Sequence, residues 1–86
     1  MYSLETVVQN PTGLHARPAA QLAGFCKQFP NEIQLSCGER SCNPKSVLNL
    51  LRGCFKAGDT VTIAVDGEDA PVVAQQIITF INQLEG

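Results

Sequence analysis

The chain has 86 residues, 44% of them hydrophobic and 16% charged, and a net charge of −2. That length fits one domain over 1–86 and one modest core; a chain this short buries only about 60% of its unfolded surface, which excludes a large enclosed substrate pocket. The composition argues against disorder, and six basic against eight acidic residues make no electrostatic case for nucleic acid binding.

The first residues, Met1-Tyr2-Ser3-Leu4-Glu5, lack the basic and apolar regions of a secretory signal. No later run is long and apolar enough to span a bilayer, so no membrane insertion and a cytoplasmic location are expected. Residues 2–9 read as a strand with Tyr2, Leu4, Thr6 and Val8 on one face, although Val7 breaks the alternation and leaves the inward face open. Asn10-Pro11-Thr12-Gly13 reads as a turn. The spacing of Ala19, Leu22, Ala23, Cys26 and Phe29 predicts a helix over 16–28. Pro18 fits only in its first turn, where a missing N–H costs little, and this places the helix start beside His15.

Ile33, Leu35 and Cys37 alternate as a strand; Gly38-Glu39 is a hairpin turn, followed by a short strand over 40–43. Val47, Leu48, Leu50 and Leu51 predict a short helix after Ser46, a good N-cap by residue type, with Gly53 as its stop. After a turn at Ala57-Gly58-Asp59, Val61, Ile63 and Val65 form the clearest strand. Asp69 as N-cap and Pro71 in the first turn open a last helix, with its stripe at Ala74, Ile77, Ile78, Ile81 and Leu84. The order β-α-β-β-α-β-α predicts a two-layer α+β domain: four mostly antiparallel strands covered on one face by three helices. Pattern alone does not set the strand order.

Four cysteines, at 26, 37, 42 and 54, allow two disulfides in three pairings. The missing export signal favours reduced thiols, with Cys26 and Cys37 as small core residues. No CxxC pair supports a zinc site, and no metal or cofactor is expected.

His15 is the single histidine. At the N-cap of the first helix, its ring lies beside the backbone N–H groups of Ala16 and Arg17 and the positive end of the helix dipole. Arg17 adds a permanent cation. Such a corner suits the oxygens of a phosphoryl group, and neutral imidazole is a competent nucleophile for one. The plainer alternative makes Arg17 a solvated helix residue and His15 a weak cap. No Asp or Glu lies near His15 in sequence, so a self-contained catalyst is not expected; the chain reads as a transiently phosphorylated carrier.

The segment Gly13-Leu14-His15-Ala16-Arg17-Pro18-Ala19-Ala20 closely resembles the phosphorylation site of the histidine-containing phosphocarrier (HPr) family of the bacterial phosphoenolpyruvate-dependent sugar phosphotransferase system. Lys45-Ser46 before an apolar helix, Gly58-Asp59-Thr60-Val61-Thr62-Ile63 and Gly67-Glu68-Asp69 are similar to the family as well, so the resemblance runs over essentially the whole chain. It implies an open-faced β-sandwich. It also implies that His15 accepts phosphate, on Nδ1, from enzyme I and donates it to the A domains of sugar-specific enzyme II, with Arg17 stabilising the group. In some members the serine matching Ser46 is a regulatory phosphorylation site; the enteric wording of Ala19-Ala20-Gln21 and Gly67-Glu68-Asp69-Ala70 implies that here it is not. Pro44 stands where small residues or Leu are more usual, and biases Asn43 towards extended backbone.

A carrier without a deep pocket must bring its histidine to a partner's active site. The expected docking face is Ala20, Lys27, Val47, Leu48 and Leu51, since four apolar residues in five on the second helix cannot all point inward. Arg17, Lys27 and Lys45 would add positive charge for an acidic partner. The alternative packs Leu48 and Leu51 under the loop 54–56. A monomer suffices for a relay. A related regulatory protein, whose phosphorylation state controls a metabolic or transcriptional partner, would carry the same motif; a module organised by its cysteines is the remaining alternative.

Overall fold

The computed structural model describes residues 1–11, 13–53 and 55–84; Thr12 of the expected turn and Cys54 lie outside the described residues. The elements run β1 (Tyr2–Val7), α1 (Ala16–Cys26), β2 (Ile33–Cys37), β3 (Arg40–Cys42), α2 (Val47–Gly53), β4 (Thr60–Val65) and α3 (Ala70–Asn82), in the expected order. The sheet order is β1-β4-β2-β3, and every neighbouring pair is antiparallel. Three helices cover one face, making the open-faced β-sandwich.

Strand register explains the layering. Leu4 lies opposite Ile63, Ile63 opposite Leu35, and Leu35 opposite Cys42, a continuous inner row across all four strands. One residue along, Glu5, Thr62, Ser36 and Ser41 form the outer row. Alternation of side chains makes the two rows face opposite ways. The inward face of β1 is therefore the even set: Val8 is buried, and Val7 is exposed on the outer face. Val8 still pairs beyond the strand, donating to the Asp59 carbonyl at 2.9 Å and accepting from Gly58 N–H at 2.8 Å.

Ala19, Leu22, Ala23 and Cys26 of α1 are fully buried, as their spacing predicts, while Phe29 is half-buried. The helix ends at Cys26 rather than 28. Gln28 and Phe29 bond back to Phe25 and Cys26, three residues earlier, tightening the chain before Pro30. The whole expected stripe of α3, Ala74, Ile77, Ile78, Ile81 and Leu84, is buried. Asp69 stands at the N-cap position but makes no side-chain cap bond, because its Oδ1 accepts from Asn31 Nδ2 at 2.7 Å. Its carboxylate ties the loop before β2 to the loop before α3 instead.

Of the two thiols expected in the core, Cys26 is fully buried and Cys37 packs against the core only partly buried. Cys42 is buried on the inner row, and Cys37 is only half-buried. Cys37 lies at the hairpin end of β2 opposite Arg40, whose guanidinium covers it, with Nη2 donating to Cys37 Sγ at 3.3 Å. Cys26, Cys37 and Cys42 are free thiols. Burial pushes Cys26 up to about 12, against the opposing pull of nearby Lys45, and pushes Cys42 up to about 11. No helix among the described residues is long and apolar enough to cross a membrane.

Arg40 also donates through Nη1 to the Gly53 carbonyl at 2.8 Å, lies 5.6 Å from the Phe55 ring centroid, and pairs with Asp59 at 3.4 Å. Asp59 Oδ2 accepts the Lys56 N–H at 2.9 Å. That backbone bond, helped by Arg40 and opposed by desolvation, holds the Asp59 carboxyl below the ordinary carboxylate value. A lowered native value means that the unfolded chain takes up this proton first as pH falls. The contribution is complete above the unfolded carboxylate range and lost as pH descends through the native value. Asp59→Asn should therefore show a smaller fall in melting temperature on acidification than the parent chain; parallel curves for the two proteins would refute the assignment.

Gly13 has φ +66°, and a Cβ there would stand 2.5 Å from the Phe55 carbonyl oxygen and 2.8 Å from Lys56 Cα. Both obstacles are backbone and cannot swing aside. Gly13→Ala should lower the unfolding free energy by about 1–3 kcal/mol in urea titration, and a loss under about 0.5 kcal/mol would show that the loop yields.

Candidate functional site

The site is built by two loops lying side by side. One runs from Val8 to Leu14, the other precedes β4. Asn10 closes a turn on Gly13: its carbonyl accepts the Gly13 N–H at 2.9 Å, and its Nδ2 donates to the Gly13 carbonyl. Leu14 is buried, and its N–H donates to the Phe55 carbonyl at 3.0 Å. His15 follows in extended backbone, φ −80° and ψ −173°, as the N-cap of α1.

His15 is exposed, as are Ala16 and Arg17. The first intrahelical bond runs from Ala19 N–H to the His15 carbonyl at 2.8 Å. Ala16 and Arg17 N–H precede it, so helix geometry provides them no intrahelical acceptor. Pro18, buried under the same turn, has no N–H to leave unpaired. The His15 side chain makes no cap bond. An exposed His15, the main-chain donors of Ala16 and Arg17, and an exposed Arg17 thus stand in the first turn of one helix, and a helix N-terminus of this kind suits an anion.

The expected docking residues lie on α1, at its C-cap Lys27, and on α2, and the two helices pack together. Leu48 is 57% and Leu51 38% exposed, Val47 is half-buried, and Ala20 and Lys27 are exposed. The alternative, Leu48 and Leu51 packed under the loop 54–56, falls partly outside the described residues, which leave Leu48 the more exposed of the two. Lys45 does not join the positive patch as expected. Its Nζ donates to the carbonyls of Phe29 and Asn31, both at 2.7 Å, and the charge is spent inside the fold. Ser46 caps α2, with Oγ accepting Asn49 N–H at 3.3 Å and Asn49 Nδ2 at 3.0 Å. Pro44 is fully buried just before it, in a turn closed by Ser46 N–H on the Asn43 carbonyl at 3.0 Å. Among the described residues no group of three or more His, Cys, Asp or Glu side chains is placed to hold a metal ion.

Two structural participants were not singled out by sequence reasoning. Asn10 read only as a turn former, although Asn side chains commonly bond nearby backbone within a turn. Arg40 read as a strand residue, and nothing local signals its reach to Gly53, Phe55 and Asp59.

The family model described as the PTS HPr component phosphorylation site matches residues 2–83. The chain is 35% identical over 85 residues to the phosphocarrier protein HPr of Haemophilus influenzae, covering 99% of this chain and all of that one. It is 32% identical over 80 residues to a multiphosphoryl transfer protein of Xanthomonas campestris, covering 93% of this chain and only 10% of that much longer protein. The solved histidine-containing phosphocarrier protein of a Mycoplasma superposes with a TM-score of 0.86 at 32% identity, over 93% of this chain and 91% of that one. A family model matched over nearly the full length, on this fold, establishes that the chain belongs to the HPr family and is a phosphoryl carrier of the phosphotransferase system.

Proposed function

We propose that His15 is the residue that carries the phosphoryl group and that Arg17, with the N–H groups of Ala16 and Arg17, holds its oxygens. Members of the family pass phosphate from enzyme I to enzyme II A domains, and this reading places both transfers at the mouth of α1. The observation that carries it is the exposed imidazole in an N-cap position whose side chain makes no cap bond. In the forward step the Nδ1 lone pair attacks phosphorus, the N–P bond forms and the bond to the donor breaks. Charge on the transferred oxygens is met by main-chain N–H and guanidinium, which need no reorganisation. In the return step the same ring is the leaving group.

The docking face reads as Ala20, Lys27, Val47, Leu48 and Leu51, with Arg17 and Lys27 supplying positive charge towards an acidic partner. Ser46 reads as a helix cap rather than a regulatory phosphorylation site, since its oxygen already serves Asn49. The reading is completed by one domain over 1–86, acting as a monomer in the cytoplasm, without nucleic acid or membrane insertion.

Incubation with phosphoenolpyruvate and enzyme I should place one acid-labile, base-stable phosphate on the chain, and His15→Ala should abolish it; phosphate mapped to any other residue overturns the assignment. Leu48→Glu should raise the KM for transfer at least about tenfold with an unchanged melting temperature, as loss of a buried interface anchor does. An unchanged KM removes Leu48 from the face.

A further inference from the structure

Asn10 is the one polar side chain among the described residues that is fully buried, 3% exposed. Its Nδ2 donates to the Gly13 carbonyl, while its Oδ1, also buried, has no hydrogen-bond partner among the described residues. A buried acceptor without a donor is costly. Turning the amide over would not remove that cost, because Oδ1 would then oppose the Gly13 carbonyl, acceptor against acceptor. The side chain is committed to one bond.

That bond acts on a particular peptide. The Gly13 carbonyl and the Leu14 N–H belong to the same plane, and Leu14 N–H donates to the Phe55 carbonyl at 3.0 Å. The plane is gripped at both ends, by Asn10 on its oxygen and by Phe55 on its nitrogen. Leu14 is buried, 3% exposed, and Gly13 lies so close to the backbone of Phe55 and Lys56 that a Cβ would not fit. The next residue is His15. We infer that Asn10 is a positioning residue for phosphoryl transfer: its amide sets the Gly13–Leu14 peptide plane, and through it the placement of the His15 ring at the mouth of α1. The inference rests on His15 being the carrier residue.

Two replacements and a control separate this role from mere stability. Asn10→Leu fills similar space, removes the orphan acceptor and donates nothing; Asn10→Ser is smaller but keeps a donor. The control, Val73→Ala, opens the core in α3, about 13 Å along the helix from Asn82, whose side chain bonds Thr6 at the β1 end. With enzyme I as phosphoryl donor, Asn10→Leu should lower kcat at least about tenfold with KM within about twofold, because misplacement of a reacting group is felt in the transition state while the docking face is intact. Asn10→Ser should lose less kcat than Asn10→Leu, and phosphorus NMR should show a displaced phosphohistidine resonance in Asn10→Leu alone. Val73→Ala should lower the melting temperature and keep kcat. A kcat within about twofold of the parent chain for both Asn10 variants, or a kcat loss matched by Val73→Ala, overturns the positioning role. Absence of label on the parent chain itself overturns the His15 reading and this inference together.

Discussion

The bond from Leu14 N–H to the Phe55 carbonyl is the contact that fixes where the first helix begins. It joins the loop before α1 to the loop before β4, so that the first helix begins at a place set by the sheet rather than by the helix. Gly13 permits the approach, since any side chain at its φ of +66° would meet main-chain atoms of 55 and 56. Phe55 is itself fixed, its ring buried against Gly53 and beneath Arg40. Arg40 stands at the start of the edge strand β3 and reaches Gly53 and Asp59. The histidine is thus located by a chain of packed and bonded groups that begins on the far edge of the sheet. An exposed ion pair such as Arg40–Asp59 contributes little by itself, but here the guanidinium also covers a ring and a thiol.

Helix beginnings show where the fold spends its donors. At α2, Ser46 accepts the Asn49 N–H and closes the first turn. At α3, Asp69 occupies the cap position, and its carboxylate is drawn to Asn31. At α1 the cap residue is an imidazole that makes no cap bond, and Pro18 removes the third N–H of the turn. The remaining two donors, on Ala16 and Arg17, are left to solvent. An uncapped helix start forgoes about 1 kcal/mol compared with a Ser, Thr or Asp cap, a small cost for main-chain donors ready for an incoming anion.

Much of this was legible in the sequence because it rests on local periodicity. The alternation of Val61, Ile63 and Val65 and the stripes of α1 and α3 reproduce the buried sets nearly residue for residue. The placement of His15 followed from one local rule, that Pro18 must lie in a first turn. What escaped depends on partners distant in sequence. Cys37 is only partly buried because it lies at the hairpin end, against the Arg40 guanidinium. Lys45 left the expected positive patch for two carbonyls, of Phe29 and Asn31, that no pattern brings near it. The strand order β1-β4-β2-β3 inserts β4 between β1 and β2, and alternation carries no information about that. The burial of Asn10 depends on the parallel course of two loops joined only through the fold.

The apolar face next to the site has its own logic. Leu48 and Leu51 are three residues apart, hence on one side of α2, and both are exposed. Leaving a leucine in water forgoes about 1.5–3 kcal/mol of burial, which a partner recovers by covering it. Leu22 and Leu50, fully buried in α1 and α2, provide the stiff layer beneath. On the proposed reading, docking affinity is concentrated in this face and chemistry at the start of α1. In so short a chain this division substitutes for a pocket. On the proposed reading each partner supplies the walls, and the carrier presents the His15 ring to donor and acceptor alike.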